Sequence, residues 1–161
     1  MSNEIVNYNP GNASLMEMRA DPNRFPRLKS MTREQAVMGM ARIVSQAFLY
    51  RGQAADPTNI QFISSALVQE LLDDDRYSTS SLSLAEIQVV VKRAVLGGSE
   101  MFGISVSSLY KVIMDYVKGE GHYIQQRVDG IRRAKEIREE SGVSVMLQAA
   151  AGEFIRNHKI K

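Results

Sequence analysis

Residues 83 to 118 read as two capped helices joined by a glycine-punctuated elbow, a pattern that suits helix-on-helix packing. Ser83-Leu84-Ala85-Glu86 is a capping box. The serine hydroxyl takes a free amide of the first turn while the glutamate reaches back to the serine amide. Ile87, Val90, Val91, Ala94 and Val95 follow at steps of three and four and point inward, leaving Lys92 and Arg93 on the outer side. Gly97-Gly98 stops the helix, and the elbow continues through Gly103 to Ser105. Ser105 caps the next helix, with Leu109, Val112, Ile113, Tyr116 and Val117 inward and Gly119 and Gly121 at its end.

The same reading extends in both directions. Thr32-Arg33-Glu34-Gln35 is a second capping box, followed by Ala36, Met40, Ile43, Val44, Ala47 and Phe48, with Gly52 as the stop. Asp56-Pro57 supplies a cap and a first-turn proline to a helix carrying Ile60, Ile63, Ala66, Leu67, Leu71 and Leu72. A charged fifth helix is expected over about 120–140, with Ile124, Val128, Ile131, Ala134 and Ile137 on a narrow seam. Gly142 is read as a break before a last helix over 143–157 that turns Val145, Met146, Ala149, Ala150, Phe154 and Ile155 to its apolar side. Residues 1–29 show no sustained period. Asn-Pro-Gly, Asp-Pro-Asn and Phe25-Pro26 mark turns, so this stretch is an arm, either disordered or laid across the domain by Leu15, Met16, Met18 and Phe25.

A chain of 161 residues can bury one core. Tryptophan is absent, aromatics are 7% and methionine occurs nine times, so aliphatic and methionine side chains must fill it. Cysteine is absent too, which excludes disulfides, thiolate metal sites and cysteine nucleophiles, and fits a cytoplasmic setting. The start Met1-Ser2-Asn3-Glu4-Ile5 has no signal-peptide pattern, and no apolar run approaches the roughly 20 residues of a membrane span. A formal charge of +2 gives no global attraction to nucleic acid, so only a local patch would provide it.

The raw material for catalysis is thin. The two histidines, His122 and His158, have no partner histidine one helical turn away, and no phosphate loop or nucleophile elbow occurs. Asp73-Asp74-Asp75 clusters carboxylates but lacks the alternating ligands and central glycine of a calcium loop, so it reads as a solvated helix end. The expectation is no enzyme, no metal, no cofactor and no small-molecule substrate.

Two surfaces suit binding. Gly103-Ile104-Ser105 followed by Val106-Ser107-Ser108-Leu109-Tyr110-Lys111 fits the turn and reading helix of a helix-turn-helix, with Ser107, Ser108, Tyr110 and Lys111 available to DNA. It fits an ordinary elbow inside a bundle equally. The DNA reading requires the preceding helix to include Gly97-Gly98, at a cost of roughly 2 kcal/mol relative to alanine. Arg127, Arg132, Arg133, Lys135 and Arg138 form the second surface, but Glu136, Glu139 and Glu140 interleave with them at one-turn spacing, so it reads first as a self-neutralised solvated face and second as a nucleic-acid surface.

Arg51-Gly-Gln, Ala66-Leu-Val-Gln-Glu-Leu-Leu, Leu84-Ala-Glu-Ile, Phe102-Gly-Ile-Ser-Val-Ser-Ser-Leu-Tyr and Asp115-Tyr-Val carry a resemblance over about residues 35–118. The chain resembles small helical proteins of Bacteroides-type phages and mobile elements, and more distantly phage replisome organisers and helicase loader/inhibitor proteins. That resemblance implies a non-enzymatic, replication-associated adaptor that contacts a protein partner such as a replicative helicase. The alternatives are a helix-turn-helix DNA-binding regulator using 83–118, and a structural or self-assembling phage component. The sequence therefore predicts an all-α orthogonal bundle of five or six helices. Its organisation is an irregular arm (1–29), a helical core (30–118) and a helical extension packed on that core (119–161). Partner or nucleic-acid contact is assigned to the elbow face near 97–111, helped by the 124–138 helix. The residues named for it are Lys92, Arg93, Ser107, Ser108, Tyr110, Lys111, Arg132 and Arg133.

Overall fold

A computed structural model describes residues 10–97, 101 and 103–157. The elbow residues 98–100 and 102, the first nine residues and the tail from His158 lie outside the described residues. The protein is an all-α bundle. Among the described residues there are five helices of eleven residues or more and one short helix, with no strand.

The four helices between Arg33 and Tyr116 each begin where a side chain supplies a cap. Helix α2 (Arg33–Tyr50) has both halves of the Thr32/Gln35 box, at 3.1 and 3.2 Å. It ends in a Schellman turn: the Gly52 amide donates to the Leu49 carbonyl and the Gln53 amide to that of Phe48. Gly52 sits at φ +65°, a left-handed conformation that glycine adopts without the side-chain penalty of other residues. Helix α3 (Pro57–Asp73) is capped by Asp56, whose carboxylate accepts the Asn59 amide. Helices α4 (Leu84–Leu96) and α5 (Val106–Tyr116) carry the Ser83/Glu86 and Ser105/Ser108 boxes.

Packing follows the apolar stripes. Helix α2 lies against α3 and α4, and α5 packs on α3 and α4. Ala36, Met40, Val44, Leu67, Leu71, Leu84, Ile87, Leu109 and Ile113 make the interior, nearly all of it aliphatic or methionine. Val112 and Val117, assigned inward from the sequence, are half-buried; Met114 is buried instead.

Two features depart from the sequence reading. The N-terminal stretch is helical where no period is visible. Helix α1 (Leu15–Ala20) opens on a capping box between Ser14 and Glu17 and packs on α4. A 3-10 turn (Leu28–Ser30) follows, held by the Leu28 amide donating to the Leu82 carbonyl and by an antiparallel bridge between Arg27 and Ser83. Leu15, Met18, Phe25 and Leu28 are all buried. Six residues are too few to display a helical period, so only the Ser14-x-x-Glu17 box carries the signal.

The glycines after α5 also fail to break the chain. A π turn (Val117–Gly121) leads directly into helix α6 (His122–Asn157), which runs through Gly130, Gly142 and Gly152. The two expected C-terminal helices are one. A helical glycine costs only about 1 kcal/mol and stops a helix when the chain there turns left-handed, which Gly142 does not. Gly121 has a packing role: a Cβ there would lie 3.0 Å from the Tyr116 carbonyl oxygen and 3.2 Å from its ring.

Contacts divide the chain into two units, Met1–Gln125 and Gln126–Lys161. The first contains the described arm and α2 to α5. In the second, side chains from Gly130 to Ala151 are exposed throughout. No described helix is long and apolar enough to cross a membrane.

Candidate interaction surfaces and the polar knot behind them

The start of α4 and the end of α5, away from the elbow, are held by a buried polar knot. Glu86, the third residue of α4, is fully buried. Its Oε1 accepts from Arg19 Nε at 2.7 Å and from the Tyr116 hydroxyl at 3.1 Å. Its Oε2 accepts from Arg27 Nη1 at 3.2 Å, the Ser83 amide at 3.0 Å and the Ser83 hydroxyl at 3.1 Å. Arg19 Nη1 also donates to Gln125 Oε1 at 2.8 Å, and Arg27 Nη2 donates to the Arg19 carbonyl. One carboxylate thus joins the N-terminal stretch, α4 and α5, and Arg19 extends the network to the start of α6.

Two guanidinium groups against one carboxylate leave this knot with a net positive charge, spread over many hydrogen bonds. Burial, then the adjacent Glu86 charge, pushes the Tyr116 phenol well above its ordinary range, so it stays protonated and donates. Desolvation pulls the Arg27 guanidinium down, opposed by Glu86. The sequence showed Glu86 only as the far end of a capping box. Arg19 and Arg27 lie 67 and 59 residues away, a pairing that no local pattern reveals.

A folded-state pKa raised above the unfolded value contributes stability that is complete below about pH 10 and is lost as pH rises toward the folded value. Tyr116 is such a group. Of the six tyrosines, this one is expected to ionise only as the chain unfolds, seen as a late step in tyrosinate absorbance coinciding with loss of helical circular dichroism. Tyr116→Phe should remove that step and lower stability at neutral pH by about 1–3 kcal/mol, the range for a buried hydrogen bond to a charged group. A wild-type chain whose tyrosines all ionise before unfolding would contradict this.

The residues singled out from the sequence fall into separate settings. Ser108 is turned back into the cap: its hydroxyl donates to the Gly103 carbonyl at 2.8 Å and accepts the Ser105 amide at 3.0 Å. Ser107 is exposed, its Oγ 3.2 Å from that of Ser105. The Tyr110 hydroxyl donates to Asp74 at 3.3 Å, and burial with the Asp74 charge raises its pKa. Lys111 is exposed and pairs with Asp115 at 3.2 Å. Arg93 pairs with Glu120 at 3.1 Å, while the Lys92 ammonium lies 5.7 Å from the centre of the Tyr50 ring. In the second unit Arg132 reaches Asp129 at 3.6 Å and Glu136 at 3.8 Å, and Arg133 is exposed.

Nine residues, 97 to 105, separate α4 from α5. A helix-turn-helix uses three or four. With Ser108 and Tyr110 engaged inside the fold, only Ser107 and Lys111 of the four proposed reading residues are exposed, and Lys111 is paired with Asp115. Two of the three consecutive aspartates are also committed: Asp74 accepts the Arg76 and Tyr77 amides at 2.9 and 3.2 Å, and Asp73 accepts from Gln69. Among the described residues no group of three histidine, cysteine or carboxylate side chains is arranged to hold a metal.

The surface offers apolar material instead. On the first unit, Leu49 and Leu96 are exposed alongside Tyr50 and Lys92, and Arg51 donates to the Met101 carbonyl at the elbow. Between α2 and the start of α3 lies an open groove of about 460 Å³, lined by Ala41, Arg42, Ser45, Gln46, Pro57 and Ile60. On the second unit, Ile131, Ile137, Val143, Val145, Met146 and Leu147 are each more than half exposed. Of these, Ile131, Ile137, Val145 and Met146 were read from the sequence as the apolar side of the C-terminal helices.

Compared with known protein families, curated proteins and solved structures, the chain matches none.

Proposed function

We propose that this protein is a non-enzymatic binding protein acting through protein contacts, with the 126–153 stretch of α6 as its principal docking element. One observation carries the reading: six large aliphatic or methionine side chains on a single helix face water. Exposed apolar groups concentrated in this way mark interaction sites. The charged part, 127–140, is a solvated helix whose ion pairs are worth at most about 1 kcal/mol each. The exposed Tyr50–Lys92–Leu96 patch beside the elbow is a secondary contact on the first unit.

The narrower form, a replication-associated adaptor of a phage or mobile element contacting a replicative helicase, is supported by the resemblance over residues 35–118. The test is co-purification of the full chain with the host helicase, repeated with a chain ending at Gln125. Capture by the full chain, lost on truncation while the first unit keeps its melting temperature, is the expected result. Tight duplex-DNA binding that falls steeply with salt and is flattened by Lys111→Ala would overturn it in favour of a DNA-binding regulator.

A further inference from the structure

Helix α6 changes character abruptly at residue 141. Nine of the fourteen residues from 127 to 140 are charged, and none of the twelve from 141 to 152 is. Within the uncharged stretch, Val143, Met146, Leu147 and Ala150 occupy positions i, i+3, i+4 and i+7 and share one face. All four are exposed, Met146 at 75% and Leu147 at 66%.

That face is symmetric about the midpoint between Met146 and Leu147. Reversing the direction of the helix places Val143 at the level of Ala150 and exchanges Met146 with Leu147. A second copy approaching antiparallel therefore brings Met146 and Leu147 of both chains into one central layer. At each end a valine meets an alanine, large against small. Parallel pairing in register would instead oppose valine with valine and alanine with alanine.

Charge selects the same direction. Glu136, Glu139 and Glu140 lie on the arc of helix that continues this face toward the N-terminus. Parallel pairing sets each glutamate beside its own copy. Antiparallel pairing separates each from its copy by about 20–30 Å at 1.5 Å per residue, well past a Debye length of about 8 Å, and leaves only Glu140 level with a like charge, Glu153 of the second copy on the opposite flank.

We propose that the 143–150 face of α6 binds the same face of a second copy, antiparallel about a two-fold axis through Met146 and Leu147. This rests on the reading of α6 as a binding element and names its partner at that stretch. The interface is isologous and spans little more than two turns, below the size of a standard protein interface, so association is weak and depends on concentration.

Sedimentation or light scattering of the full chain from about 1 to about 500 µM covers the range in which so small an interface associates. The mass should rise from 18.0 kDa toward twice that value. Met146→Glu with Leu147→Glu should hold the chain monomeric, at least a tenfold loss of association, with an unchanged melting temperature because both side chains are already exposed. Val145→Glu, off the face, should leave association intact.

The chain has no native cysteine, so direction can be read directly. Mixing Val143→Cys and Ala150→Cys chains under oxidation should give the mixed disulfide in preference to 143–143. A monomer throughout, or preferential 143–143 crosslinking, overturns the pairing. A monomer that still captures helicase through α6 overturns the pairing and leaves the adaptor reading standing. Capture unaffected by truncation at Gln125 defeats that reading separately.

Discussion

Glu86→Gln is expected to destabilise the protein by about 3–5 kcal/mol, the cost of breaking a buried ion pair and stranding its partner. Glutamine keeps the shape and one acceptor but removes the charge facing Arg19 and Arg27, which are 8% and 13% exposed. Two guanidinium groups would then sit nearly dry without a counter-charge, and the Tyr116 hydroxyl would face a weaker acceptor. Total stabilities of domains this size run about 5–15 kcal/mol, so the loss would be plain in a urea titration followed by circular dichroism. Adding Arg19→Met should recover part of it, because the pair is coupled and its members do not contribute independently. A loss below about 1 kcal/mol for Glu86→Gln would show that water reaches the knot, and its structural role would fall.

Deleting residues 1–30 is expected to be worse. The truncation removes Leu15, Met18, Phe25 and Leu28 from the interior, each worth about 1.5–3 kcal/mol, together with both arginines that neutralise Glu86. The exposed flank of α4 would carry an unpaired carboxylate amid apolar surface. Such a chain should aggregate, or remain helical while losing cooperative unfolding and binding a hydrophobic dye. Deleting only residues 1–9 provides the comparison, since none of these contacts involves them. A chain starting at residue 31 with a cooperative transition within a few degrees of the wild type would reduce the N-terminal stretch to an appendage.

How far the sequence reached follows from the range of each interaction. The capping boxes at Thr32 and Ser83 and the cap at Ser105 are written within four consecutive residues, and each marks a helix start in the structure. The stripes of α2 and α3 extend over four or more turns, long enough for period to outweigh noise. Helix α1 is one and a half turns and showed no period, although its cap obeys the same rule as the others. Glycine misled at residue 142, because the residue permits a left-handed stop without imposing one.

The binding surfaces were less legible. Tyr110 and Ser108 have the chemistry to meet a ligand, but whether a hydroxyl faces outward depends on what lies opposite. For Tyr110 that is Asp74, 36 residues earlier in the chain. Ile131 and Ile137 had the spacing of a packed seam, and spacing cannot say whether anything covers it.

What the amino-acid order determined by itself was local: an all-helical chain, the helix starts, and an interior of aliphatic and methionine side chains. These rest on hydrogen bonds within one turn and on a period of 3.6 residues. What only the tertiary structure decided was non-local: that Glu86 gathers Arg19, Arg27 and Tyr116 into one buried knot, and that the apolar side chains of α6 between residues 131 and 151 are left facing water. Both depend on which segments meet across tens of residues, and burial of charge or exposure of an apolar face is a property of that meeting.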